Sequence, residues 1–323
     1  MGIKRHIKKY KIILAAFIVA GITGCDVFHD DLDQCDLFLE FRYDYNMVNE
    51  DWFADQVEEV KVYVFDAEGK YLQTFIEKGN PLKNTDYRML IPYRLKGCTA
   101  VVWAGKTDEF YRLSSMTTGD PIDKLALKYE PDNNMSNNHL DALWHSGPLL
   151  MFSSENISNT ENVSLVRNTN DITIGITRGN NPVDASKYDI QLITANNFYD
   201  YKNNVGESSK NIIYHPCSVE EEDSKTALQT RLHTLRFIKD ADMTFSITEK
   251  ASGKTIDIGG KTTINLIDYL LKSKPEAMGD QEYLDRRYQW DINVRIGDKE
   301  ENGYIALSIT INNWTYWFQP TDM

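Results

Sequence analysis

No stretch of the 323 residues is apolar for long enough to cross a bilayer as a helix. The longest run, about 11 residues from Ile12 to Ile22, rises about 1.5 Å per helical residue and stops well short of roughly 30 Å of hydrocarbon. Histidine is scarce, six residues in all. Beyond His6, the residues His29, His139, His145, His215 and His233 show neither H-E-x-x-H nor any paired-cysteine spacing for zinc. No G-x-S-x-G elbow, P-loop or Rossmann glycine set occurs. His145 has Ser146 beside it, but neighbouring side chains on a strand or helix point apart, so that pair reads as structural. No catalytic, cofactor-binding or metal-binding residue is expected, and the chain reads as a non-enzyme. Proline is low, nine residues against 37 aromatic ones, which favours packed β domains over a disordered stalk. Basic residues are outnumbered 35 to 48, for a formal charge of −13. Removing residues 1–24 takes five basic residues and no acidic one, leaving −18. That balance repels nucleic acid and anionic headgroups.

What the chain does have begins at its start. Lys4, Arg5, Lys8, Lys9 and Lys11 precede the short apolar run and then small residues, which is the plan of a secretory signal over residues 1–24. The tetrad Ile22-Thr23-Gly24-Cys25 resembles the bacterial lipobox, in which the cysteine thiol receives fatty-acyl (palmitate-class) chains and becomes the new N-terminus. Cys25 is the expected lipidation site. Residues 25–34 read as an acidic tether: Asp30, Asp31, Asp33 and Asp36 lack the glycine and terminal glutamate of an EF-hand. The tether also resembles the acidic segment that marks some Bacteroidetes lipoproteins for export to the surface. Three cysteines then remain, Cys35, Cys98 and Cys217. One bridge and one free thiol are the simplest outcome in an oxidising compartment. Cys35 and Cys98 each open a strand candidate in the same half and are the preferred pair; three reduced, buried thiols are the alternative.

From Cys35, "CDLFLEFRYDY" alternates Leu37, Leu39, Phe41, Tyr43 and Tyr45 against polar and aromatic neighbours, a half-buried strand. Val60, Val62 and Val64 repeat the habit. Asp66–Gly69 turns the chain and Tyr71–Ile76 returns as the partner strand. "DYRMLIPYRL", "CTAVVWAGK" and "NVSLVRNTNDITIGITR" supply more strands, around a less regular insertion at 106–160. The turn-rich "RGNNPVDASK", residues 178–187, places a domain boundary between 35–180 and 181–323. Beyond it more short strands follow, with one helix in "INLIDYLLKSKP", where Ile264, Ile267, Leu270 and Leu271 share a face and Pro275 lies past the end. The class expected is all-β, two β-sandwiches in tandem with a short helix in the second. The carboxylate run Glu220–Asp223 reads as a solvated loop. "NNWTYWF" is either a carbohydrate platform or the packing of a terminal strand.

Several longer phrases carry a resemblance. "CDLFLEFRYDYN", "DWFADQVEEVKVYVFDAEGKYL", "VVWAGK", "LDALWHSG", "LVRNTNDITIGI", "INLIDYLL", "YLDRRYQWDINVRI" and "ALSITINNW", in this order, are similar to the fimbrial anchor lipoproteins of the Bacteroidetes type V pilus, the minor-fimbria anchor subunits. The resemblance implies transthyretin-like sandwiches and an outer-membrane, surface-exposed, lipid-anchored protein. Its partners would be fimbrillin (pilin) subunits and the outer membrane through the acyl chains on Cys25. Its work would be to hold the base of a fimbrium and limit its length by strand pairing. Stalk subunits of such pili lose their first strand to a protease, and an anchor keeps it. Arg42 is the single basic residue in the first strand candidate. Ile305, Leu307, Ile309, Ile311 and Trp314 are the partner-strand candidates; whether that segment is donated or completes its own sheet is open at this point. The alternatives are a lipidated stalk or tip pilin precursor and a surface glycan-binding lipoprotein.

Overall fold

The structure, a computed structural model, describes residues 36–153, 158–206, 209–222, 226–299 and 303–318. Cys25 and Cys35, and with them the signal, the lipidation site and half of the expected disulfide, lie outside the described residues. Among the described residues no helix is long and apolar enough to cross a membrane.

Strand β1 (Leu37–Arg42) alternates as its sequence predicts: Leu37, Leu39 and Phe41 are buried, while Phe38, Glu40 and Arg42 are partly or fully exposed. Then come β2 (Glu59–Phe65), β3 (Tyr71–Lys78), β4 (Met89–Ile91) and β5 (Thr99–Gly105). The β2–β3 hairpin turns where expected, with Gly69 at φ +72° and the Asp66 carboxylate accepting the backbone N–H groups of Glu68 and Lys70; a side chain at Gly69 would meet left-handed strain. Short strands β6 (Tyr111–Leu113), β7 (Ala126–Tyr129) and β8 (Met135–Ser136) form the insertion. The chain returns through β9 (Leu143–Leu150), β10 (Thr160–Ser164) and β11 (Val166–Arg167). The first sandwich sets the sheet β10-β1-β4 against β11-β9-β5-β2-β3. Leu39, Phe41, Val60, Val62, Val64 and Val102 meet between them.

The second sandwich takes β12 (Thr169–Arg178), β13 (Asn181–Pro182), β14 (Tyr188–Ala195), β15 (Phe198–Asp200), β16 (Asn211–Tyr214), β17 (Ser218–Glu222), β18 (Thr226–Leu235), β19 (Thr244–Glu249), β20 (Asp257–Ile258), β21 (Ile264–Asn265), β22 (Gln289–Lys299), β23 (Gly303–Ile311) and β24 (Trp314–Trp317). Its larger sheet runs β17-β18-β12-β22-β23-β20 and its smaller one β21-β19-β14-β16-β8. Ile172, Ile174, Ile190, Leu192, Phe245 and Val294 fill the space between. Three short helices accompany the strands: α1 (Phe53–Gln56), α2 (Leu266–Lys272) and α3 (Asp280–Arg286). In α2 the Asn265 side chain caps the first turn by accepting the Ile267 N–H. Leu266, Ile267 and Leu270 are buried there, whereas Ile264 belongs to β21. The architecture is therefore the expected all-β pair of sandwiches.

Two details depart from the sequence reading. Residues 169–178, assigned above to the first domain, form the centre of the second sandwich, with β18 antiparallel on one side and β22 parallel on the other. The turn formers after Arg178 close a tight hairpin, Arg178 opposite Asn181, with Gly179 at φ +64°. They are a turn within a sheet, and the division between the sandwiches falls before Thr169 instead of at 180. The second departure concerns β2, expected to be half-buried but buried at all seven positions. Its far face carries Tyr63 and Phe65, which pack with Trp103, Tyr111, Leu125 and Leu127 under the insertion. The halves also share strands: β8 pairs with β16 and β7 with β15.

Candidate functional site

Nothing in β1 is left for a neighbour to replace. Phe38–Arg42 pair in parallel with Thr160–Ser164 of β10, and Leu37–Leu39 pair antiparallel with Met89–Ile91 of β4. Phe41 stacks on Phe53 with ring centroids 5.6 Å apart, and the fully buried Tyr43 meets Trp144 edge-on at 5.7 Å. The exit is pinned as well. Asp51 accepts the Tyr43 and Phe53 N–H groups at 2.9 and 3.0 Å, and the buried Asn46 donates to the Tyr43 and Glu50 carbonyls. Around the only basic residue of the strand, the Arg42 carbonyl accepts the Leu165 N–H at 2.9 Å, and the guanidinium pairs with Glu40 at 2.7 Å. Both backbone groups of the Arg42–Tyr43 bond are thus committed, and a protease that binds its substrate as an extended strand meets a segment already inside a sheet.

The partner-strand candidates sit at the other end of the fold. Ile305, Ile309 and Ile311 are buried on β23, and Leu307 is partly so. β22 fills one edge of that strand; β20 and β24 fill the other. Strand β24 folds back because Asn312 adopts φ +53° in the two-residue turn, as asparagine tolerates. The available edge is therefore the outer side of β24: among the described residues only β23 pairs with it. Its surface is aromatic. Trp314 stacks on Tyr316 at 6.2 Å, Lys272 Nζ lies 4.0 Å from the Tyr316 ring centre, and Trp317, beside Arg295, is 53% exposed.

Between the sandwiches lies a polar junction built largely by "LVRNTND". Arg167 lies 3.8 Å from the Tyr288 ring centre and donates to Gln56 at 3.1 Å. Asn168 and Asn203, both buried, exchange side-chain hydrogen bonds, and Asn170 donates to the Leu235 carbonyl while accepting from Trp290 Nε1. Arg286 of α3 reaches back to the Asn46 carbonyl and Asn49 and lies over Tyr45, so the loop after β1 is tied to the second sandwich. Of the histidines, His145 is buried against Trp103 with ring centroids 4.4 Å apart, and burial pushes its pKa down to about 3. His215 lies 3.2 Å from Asp189, and His29 is outside the described residues. Cys98 is partly buried against the first core, which raises its thiol pKa.

Two sandwiches joined by a polar junction, with an aromatic edge strand on the second, place the chain in the tandem β-sandwich class. The model of the family described as fimbrillin-A associated anchor proteins Mfa1 and Mfa2 matches residues 32–320, and this chain belongs to that family. It is a family of fimbrial anchors, not of enzymes. Among solved structures, a Bacteroides thetaiotaomicron protein described as a candidate polysaccharide-binding protein is 29% identical, with a TM-score of 0.77 over 90% of this chain and 100% of its own. A candidate adhesin from Bacteroides ovatus is 24% identical, with a TM-score of 0.75 over 91% of this chain and 98% of its own. The fimbrial anchor protein Mfa2 of Porphyromonas gingivalis is 18% identical, with a TM-score of 0.67 over 88% of this chain and 99% of its own. The last two likenesses concern the fold alone. No curated protein matches the chain.

Proposed function

We propose that this protein is a surface-exposed outer-membrane lipoprotein that anchors the base of a fimbrium and ends its growth, held by acyl chains on Cys25 and joined to a fimbrillin by strand pairing. One observation supports the reading: β1 is paired on both sides, by β10 and β4, and the backbone at its one basic residue is committed to hydrogen bonds. While β1 stays uncleaved, the first sandwich therefore has no vacancy for a donor strand and cannot propagate a chain through that groove. A sandwich that lacked β1 would expose unpaired backbone groups and a strip of core, which a neighbour's strand repairs. The outer edge of β24 is where a fimbrillin strand would add, with Trp314 beside it and Ile305, Leu307, Ile309 and Ile311 holding the strand behind it. Cys35 and Cys98 stay the preferred bridge between the tether and the first sandwich.

The test is Cys25→Ser in cells that make the fimbriae. The expected outcome is a protein that leaves the membrane fraction, together with fimbriae shed into the medium. A Cys25→Ser protein that still sediments with outer membranes would end the lipid-anchor reading. A second reading, glycan binding, is favoured by the exposure of Trp317 beside Trp314. Replacing both by alanine separates the two, because sugar stacking depends on those rings. Anchoring by strand pairing uses the backbone of β24 rather than its rings, and so predicts fimbriae of ordinary length and retention in the variant, measured by shearing and immunoblot. Glycan binding predicts loss of oligosaccharide retention on an affinity column.

A further inference from the structure

Histidine spacing along the chain offers no metal motif, but the fold brings three distant residues together. His139 lies between β8 and β9, Cys217 just before β17, and His233 on β18. One ligand atom from each lies within 4.8 Å of the others. The two imidazoles are already close, with ring centroids 4.1 Å apart, and the Cys217 N–H and thiol both donate to the Arg231 carbonyl, at 2.8 and 3.3 Å. We propose that His139, Cys217 and His233 bind a borderline transition-metal ion of the Zn²⁺ class.

The donor set and its surroundings both point this way. A thiolate with two imidazoles suits Zn²⁺ and excludes Ca²⁺ and Mg²⁺, which take oxygen ligands. Bonds of about 2.0–2.3 Å in a tetrahedron set ligands roughly 3.3–3.8 Å apart, so three groups that lie within 4.8 Å of one another need to close by about 1.5 Å at most. The exposed His139 can move that far. Asp171 is placed to give outer support: its carboxylate lies 3.1 Å from His233 Nδ1, which has no aligned hydrogen bond as it stands. A small turn of the ring would let Nδ1–H donate to Asp171 and leave Nε2 for the metal, as in a carboxylate–histidine–zinc relay. The site faces a cleft of about 400 Å³ whose lining includes Asp141, Asp171 and Asp291 against Arg167 and Arg231. Carboxylates outnumber guanidiniums there, and the fourth position opens to water. The ion would join the segment leading into β9 of the first sandwich to β17 and β18 of the second, a clip across the junction.

Cobalt(II) is the probe, added to the full mature chain purified without metal. The expected result is one equivalent bound, with thiolate-to-cobalt charge-transfer absorption and the intense d–d bands of a four-coordinate site. His139→Ala and Cys217→Ser should each abolish the charge-transfer band, and Asp171→Asn should weaken binding about 10–100-fold. Zn²⁺ should raise the melting temperature of the wild type and leave that of His139→Ala unchanged. His139 is exposed, so its alanine variant should match the wild-type circular dichroism without metal. No charge-transfer band in the folded wild type, or a band that survives Cys217→Ser, overturns the proposal. So does binding that is equal in the wild type and His139→Ala.

Discussion

A chain that begins at Tyr43 is expected not to fold its first sandwich, and a synthetic peptide of residues 36–45 is expected to restore it. The truncation removes the buried side chains of Leu37, Leu39 and Phe41. At about 1.5–3 kcal/mol each, they represent roughly 5–9 kcal/mol of apolar burial, comparable with the whole stability of an ordinary domain, about 5–15 kcal/mol. Backbone pairing is lost on two fronts, because β1 separates β10 from β4. Phe41→Ala is the graded version: it forfeits the stack on Phe53 and should cost about 3–5 kcal/mol in urea unfolding. Amide hydrogen exchange reads the truncation directly, with protection expected to vanish in β4, β10 and the facing strands and to return on adding peptide. A truncated chain with wild-type protection in β10 would show that β1 is ornamental, and the argument for a closed, chain-ending subunit would go with it.

The same strand shows what the sequence makes legible. The inward and outward residues of β1 follow from period two alone, because one face meets the core and the other meets solvent. The rule fails at β2, where Glu59 and Lys61 are buried on the face that alternation assigns to water. There Lys61 Nζ finds Glu59 at 3.0 Å and Asp108 at 2.8 Å, a pairing across 47 residues that no local pattern announces. The domain boundary fails for a related reason. Turn-forming residues after Arg178 look like a linker, whereas the true crossing passes through Arg167, Asn168 and Asn170, which are buried because their polar atoms find partners in both sandwiches. Sequence polarity measures what a side chain would do alone, and here long-range hydrogen bonds reverse it. The β23 segment shows a third limit: its alternation identifies a strand, but only the fold shows that both of its edges are filled.

His145 gives the junction a pH dependence whose sign is fixed. Its ring belongs to the first sandwich, but the groups that tune it belong to the second. Desolvation lowers its pKa most; the Tyr201 backbone hydrogen bond and Asp200 act to raise it, and Arg236 to lower it further. Arg236 is itself fixed by two hydrogen bonds to Asp285, at 2.6 and 2.7 Å, and donates to the Asn203 carbonyl. The unfolded histidine takes up a proton near its ordinary pKa of about 6.5, and the folded one only near about 3. The folded pKa is depressed, so stability from the neutral ring is complete above about 6.5 and is lost as pH falls toward 3, by about 5 kcal/mol in all. Between about pH 7 and about pH 4 the wild type should lose about 3 kcal/mol more than His145→Gln, measured as the difference in urea unfolding free energies. His145→Phe, which keeps an aromatic ring beside Trp103, should show the same flattening if the glutamine variant folds poorly. Parallel pH profiles in wild type and both variants would mean that the folded ring is protonated without cost, and that the two sandwiches do not close over it.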